Sequence, residues 1–235
     1  PRSTRKESSA ASDVYKRQML AITLSPRRKS LDTQIHISKE YKLLWASNHT
    51  RLDYKAFYLS MFYMEYISKV AQPEDLDFES MENAGLFTVL SNSLFYLDKL
   101  VERKEFFLEN HLFFFLTKLS IQLGVVPGIE NCLYCDTLFK AHDMCLFDPK
   151  DGGFSCMECA SQKDQFLSDN KLLLEEYQSS QALREIFQKI FKLSYKNFET
   201  VGLLHSGMTY AIFNYINFQF GFSKDQFKTW GMVGS

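Results

Sequence analysis

Runs of apolar and polar positions outline the chain. From Met19 to Trp45 the pattern is strand-like. MLAITL is an apolar run, PRRKSLD a charged turn, QIHI an alternating stretch and YKLLW a second short β-prone run. Together they predict two or three short antiparallel strands, the end of a larger β domain. The period then lengthens. Asn48-His49-Thr50 opens a predicted helix from Leu52 to Ala71, where Phe57, Leu59, Phe62, Met64 and Ile67 place apolar groups around most of the surface. A helix apolar on most sides is a central, buried one. Pro73, in the acidic connector that follows, ends it because proline cannot continue the hydrogen-bond ladder. Helices are also predicted over 86–101 and 103–123, the second stopping at Gly124 with Pro127 close behind. Beyond a cysteine-rich segment come amphipathic helices at Gln165–Tyr177 and Gln181–Tyr195, then a final helix at Gly207–Phe220. The tail DQFKTWGMVGS either caps the domain or frays. Residues 1–18 hold almost no apolar residues and read as translated adapter sequence, outside the fold.

Composition changes this picture only slightly. Phe 22 and Tyr 12 are heavy, while Gly 10 and Pro 5 are light. Few breakers and many large apolar side chains favour a mostly helical body with a substantial core. The formal net charge of -1 carries no global nucleic-acid signature. Contact with nucleic acid must then come from a local basic patch or through a partner. Arg27, Arg28 and Lys29 are one candidate, a turn between strands where cations meet phosphates; a solvated turn is the alternative. No segment reads as a membrane span. The best candidate, 205–223, lacks Asp, Glu, Lys and Arg but carries Asn214, Asn217 and Gln219. A buried helix fits it better than the roughly 20 apolar residues a span needs.

The strongest chemical signal lies between Cys132 and Cys159. Two Cys-x-x-Cys pairs, Cys132/Cys135 and Cys156/Cys159, are separated by 20 residues. Each pair can turn back and offer two thiolates at one point, and two such knuckles make the four-sulfur tetrahedron that zinc prefers. Gly152-Gly153, just before the second pair, permit the close backbone approach a knuckle needs. Two disulfides would also use four cysteines, but nothing else reads as secreted, and the thiols point to a reducing cytosol. A redox pair would occur once, near a βαβ pattern that is not visible. His142 and Cys145 could replace a ligand, though paired spacing favours the other four. Cys145, beside Leu146 and Phe147, reads as a small buried hydrophobe. Four thiolates close the coordination shell, so the zinc is expected to be structural, with no catalytic role.

Other catalytic patterns are thin. His36, His49, His111, His142 and His205 lie far apart in sequence with no matching carboxylate or serine motif, and Glu175-Glu176 reads as a solvated helix face. No GxGxxG, P-loop or GxSxG pattern occurs, and no internal repeat.

The order of these features resembles the bacterial recombination mediator family RecO. The most specific match is LGVVPGIENCLYC, Leu123 to Cys135, against a family pattern of Leu-Gly-aromatic-x-Pro, a spacer and the first cysteine pair. FDPKDGGFSCMECA continues it, with Phe147, Gly152, Gly153 and the second pair in order. AFYLSMFYMEYI, with Glu65, resembles the family's Tyr-Leu-x-Glu-Leu helix, and LFTVLSNSLFYL the next one. Val125 departs from the usual aromatic and Asp136 from the common glycine. The resemblance, spread in patches over about 19–230, implies a mainly α fold. A helical domain over 48–235 would carry a zinc lobe at about 130–160. Residues 19–47 would be the last strands of an incomplete oligonucleotide-binding (OB-fold) barrel. It implies a non-enzymatic, cytoplasmic, nucleoid-associated protein of DNA repair. Such proteins bind single- and double-stranded DNA, anneal strands, and with RecR help RecA load. They also bind the C-terminal tail of the single-stranded-DNA-binding protein. That tail ends in an apolar residue with a free carboxylate, so its pocket needs an apolar wall and one or two cations. Lys118 matches an often basic family position, with Phe115 and Leu119 as wall; a plain core helix with one exposed Lys is the alternative. Two other classes stay open: a zinc-ribbon interaction module of the transcription or translation machinery, and an enzyme using Cys132, Cys135 or His142 at an open zinc.

Overall fold

The computed structural model describes residues 18–24, 38–71, 81–163, 170–200, 204 and 206–233. It is mainly helical, with two small antiparallel sheets. The first sheet pairs β1 (Gln18–Leu24) with β2 (Ser38–Ala46), with register irregularities after Met19 and after Thr23. These two strands do not close a barrel. The QIHI stretch, His36, and Arg27, Arg28 and Lys29 lie outside the described residues.

A 3-10 turn at Thr50–Leu52 separates β2 from α1 (Tyr54–Val70). The helix therefore begins later than expected at Asn48-His49-Thr50. Its cap is Asp53, whose carboxylate accepts from the Ala56 amide at 2.9 Å, meeting one of the donors a helix start leaves unpaired. On α1, Leu59 and Phe62 are fully buried, while Phe57, Met64 and Ile67 are half-buried. α2 (Met81–Arg103) and α3 (Leu108–Gln122) follow and pack on α1 and on each other. α3 ends in a Schellman motif. Gly124 sits at φ 69°, its amide donating to Ile121 O at 3.2 Å and the Val125 amide to Ser120 O at 3.0 Å. Glycine adopts that left-handed conformation without steric cost, which explains the Leu-Gly pair at this point.

Residues 170–192 do not divide into two helices. One helix, α5 (Asn170–Lys192), runs across the expected break at 178–180, because that stretch is polar but holds neither Gly nor Pro to stop the ladder. α6 (Ser206–Phe220) then crosses the body beside α3, burying Ile212, Phe213, Tyr215, Ile216 and Asn217. Asn217 is satisfied inside the core, its Oδ1 accepting from Tyr66 Oη at 2.7 Å. Among the described residues no helix is long and apolar enough to cross a membrane.

Aromatic rings hold this body together. Tyr63 stacks on Phe115 at 4.0 Å, Tyr66 on Phe227 at 4.7 Å and Phe213 on Trp230 at 3.7 Å. Such pairs add roughly 0.5–1.5 kcal/mol each beyond the area they bury. Two of the three use the tail, which therefore caps the domain. Glu65 fastens it: its carboxylate accepts from the amides of Lys228 (2.9 Å) and Thr229 (3.0 Å) and from the Thr229 hydroxyl, ahead of the short α7 (Trp230–Val233).

Candidate metal centre

The cysteine-rich segment forms a lobe inserted between α3 and α5. Its centre is a tight hairpin of β3 (Cys145–Asp148) and β4 (Gly153–Cys156), followed by the short α4 (Met157–Lys163). The first cysteine pair lies in a turn laid against this hairpin. Leu133 N donates to Phe154 O, and Gly128 N to Gly152 O, both at 2.9 Å. The turn closes on itself through Asp136 N to Cys132 O at 3.0 Å and Cys132 N to Thr137 O at 2.9 Å. Asp136 takes φ 57°. Aspartate tolerates the left-handed region better than most residues, and here its carboxylate also accepts from Asn131 Nδ2 at 2.8 Å. Asp136 thus takes a conformation that glycine adopts most readily. Gly153 is needed for lack of a side chain: a Cβ there would meet Leu133 Cδ2 at 2.7 Å and Gly128 O at 3.0 Å.

These turns bring Cys132, Cys135, Cys156 and Cys159 together, with all four sulfurs within 4.8 Å of one another. Cys132 and Cys135 come from the turn, Cys156 from the end of β4 and Cys159 from α4. The Cys135 and Cys156 sulfurs are 3.8 Å apart. A tetrahedron with Zn–S bonds of about 2.3 Å has edges of about 3.8 Å, so the donor set fits a zinc-sized ion after small shifts. All five cysteines are free thiols. Neither His142 nor Cys145 joins the cluster. Cys145 is fully buried, and burial pushes its thiol up to about 11, as suits a small core residue. His142 is largely exposed and pairs with Glu185 at 2.9 Å.

Local electrostatics favour thiolate at the first knuckle. Burial opposes ionisation of Cys132, but the amides of Cys156, Cys135 and Tyr134 outweigh it and bring the thiol down to about 6. The Cys156 amide lies 3.3 Å from that sulfur. Cys135 is also lowered, by the hydroxyl and amide of Thr137. Burial raises Cys156, and hydrogen bonding to Cys156 and Cys135 holds Cys159 up at about 12. Acids packed this closely compete, each ionisation opposing the next. A divalent cation at their centre would offset that repulsion and would take all four as thiolates.

The lobe docks on the body through two helices. Phe147 packs on Phe154 (4.9 Å) and on Tyr215 of α6 (5.9 Å). From α5, the fully buried Arg184 donates to Lys140 O at 2.8 Å, with its guanidinium 4.8 Å from the Phe139 ring centre.

No protein-family model matches the chain, and no curated protein matches its sequence.

Of the expected partner-tail residues, Phe115 and Leu119 are buried in the core and offer no surface wall. Lys118 is half-buried and turned inward, donating to Ile190 O at 2.9 Å and Leu193 O at 2.7 Å, which closes the end of α5. Burial lowers its pKa. Periodicity in α3 cannot separate a basic residue facing solvent from one capping a neighbouring helix. The sequence reading also missed Asp98, which ties β2 to the body. Its Oδ1 accepts from the amides of His49 (2.7 Å) and Thr50 (2.8 Å) and from the hydroxyls of Ser47 (2.9 Å) and Thr50 (3.0 Å). The signal available was that Asp98 is the single acid of the helix predicted over 86–101.

Proposed function

We propose that this protein is a RecO-like recombination mediator of DNA repair, non-enzymatic, whose zinc lobe is structural. The observation that carries the reading is the lobe itself. Four thiols converge in an insertion on a helical platform, led in by Leu123-Gly124 and Pro127, with Asp136 in the conformation that the family's glycine would take. Cys132, Cys135, Cys156 and Cys159 would hold the zinc, which would cross-link the first turn to the end of the β3–β4 hairpin. In this reading the protein binds single- and double-stranded DNA and anneals complementary strands. With RecR and the single-stranded-DNA-binding protein's tail as partners, it assists RecA loading. The tail would dock elsewhere than on Phe115, Lys118 and Leu119.

Two assays test this: annealing of complementary oligonucleotides, and binding of an acidic peptide with an apolar C-terminal residue. Activity in both is expected; failure of both overturns the reading. Cobalt substitution tests the metal. Intense tetrahedral thiolate bands with no exchangeable water are expected, whereas an exchangeable water would favour an enzyme.

A further inference from the structure

At the C-terminal end of α2 lies a cleft of about 350 Å³ against the 3-10 segment Tyr195–Thr200. Its floor is Phe95, Tyr96, Leu100 and Tyr195, and its rim is Lys99, Arg103 and Lys196. The floor is built from fixed rings. Tyr96 and Tyr195 lie nearly parallel, 18° apart with centres at 5.8 Å, and Phe95 stands edge-on to Tyr96 at 5.3 Å. The Tyr195 hydroxyl bonds to Ser93 Oγ at 3.2 Å, and its ring abuts Phe114 at 5.0 Å. Among the described residues the lining holds three cations and no carboxylate. Lys99 is paired with the Glu102 carboxylate at 2.9 Å.

We infer that this cleft binds single-stranded DNA, with a base against the aromatic floor and its flanking phosphates on the rim cations. Flat rings beside several cations are what an unpaired strand requires, since every base has a π-face and its phosphates repeat on both sides. A peptide's terminal carboxylate is one charge, met by one or two cations, and leaves the third without a role. The inference rests on the reading of this protein as one that handles DNA strands.

The test is fluorescence anisotropy of a labelled oligodeoxythymidylate against the whole chain and the exposed-rim double variant Arg103→Glu with Lys196→Glu. Affinity is expected to fall at least about tenfold. The slope of log K against log salt should shrink by about 1.4, at about 0.7 per phosphate contact on a single strand. Trp45, 5.8 Å from Phe95, should be quenched by the oligonucleotide in the parent chain and in Tyr96→Phe, but less in Tyr96→Leu. Unchanged affinity and slope in the double variant overturn the site. So does an acidic peptide with a free C-terminus that displaces the oligonucleotide and quenches Trp45 more strongly, or an oligouridylate that binds more tightly. Annealing that persists while the cleft variants bind normally removes this site and leaves the mediator reading standing. Rim-dependent binding without annealing does the reverse.

Discussion

The β3–β4 hairpin has four residues in each strand, and β1–β2 has seven and nine. Yet the shorter hairpin is the one whose apolar side chains are covered. Phe154 and Cys145 are fully buried, whereas Ile22, Tyr41, Leu43 and Leu44 are each more than half exposed. An isolated two-stranded hairpin is marginal in water at any such length. The difference lies in what each hairpin is joined to. β3–β4 ends in Cys156, one of the four clustered thiols, and lies against α6 through Phe147 and Tyr215. β1–β2 is held at its root, by the hydrogen bonds around Asp98 and by Trp45 against Phe95. A four-thiol cluster and a helical platform can thus do for eight strand residues what sixteen cannot do alone.

Loss of the proposed metal is the largest expected blow to this comparison. Binding energy at structural zinc sites is on the order of 10 kcal/mol and is coupled to folding. A strong chelator, or Cys132→Ser, should expose residues 128–163 to protease. The near-ultraviolet signal of the Phe213–Trp230 stack should survive, because the body has its own core. Equal protease resistance with and without chelator would place the lobe's order in its docking contacts instead. Those contacts are probed next by Phe154→Ala. Deleting a fully buried phenyl group should cost about 3–5 kcal/mol of lobe stability, read by denaturation with zinc held in excess.

How much of this was legible in the sequence depended on distance along the chain. The four thiols were legible because each knuckle is local and its spacing alone specifies the turn. The helices were legible by period, apart from the false break near Ser179-Ser180. Partners brought in from far away left no such trace. Arg184 looked like one more charge on an amphipathic helix, yet it is buried against Phe139 and Lys140. Lys118 looked like a surface cation, yet it closes a helix 72 residues away. In both cases a long side chain crosses from one element to another, and neither composition nor periodicity encodes where it ends.

Asp98 sharpens the other half of the comparison. Asp98→Ala removes the acceptor of two amides and two hydroxyls, and should cost about 3 kcal/mol, mostly through donors left unsatisfied. Burial pushes this carboxyl up, but the donors from Thr50, His49 and Ser47 outweigh it and hold its pKa below the usual range. Its contribution is therefore whole above the unfolded value of about 3.9 and is lost as pH falls through the folded one. Acid titration of stability should steepen below about pH 4 in the parent and flatten in Asp98→Asn. Parallel acid limbs would mean that the root of β1–β2 is held by Trp45 alone.

The smallest effect is the most discriminating. Leu43→Thr on β2 exchanges one β-prone residue for another on a face already open to water. Little burial is lost, so stability should change by no more than about 0.5 kcal/mol. The buried Phe154 is predicted to respond many times more strongly, although both residues sit in two-stranded hairpins. Denaturant titration of the two variants side by side measures that ratio directly. A Leu43→Thr loss of 2 kcal/mol or more would mean that the β1–β2 face is covered in solution. The contrast between the hairpins would then be one of partner, with both apolar faces buried and only one of them by this chain's own helices.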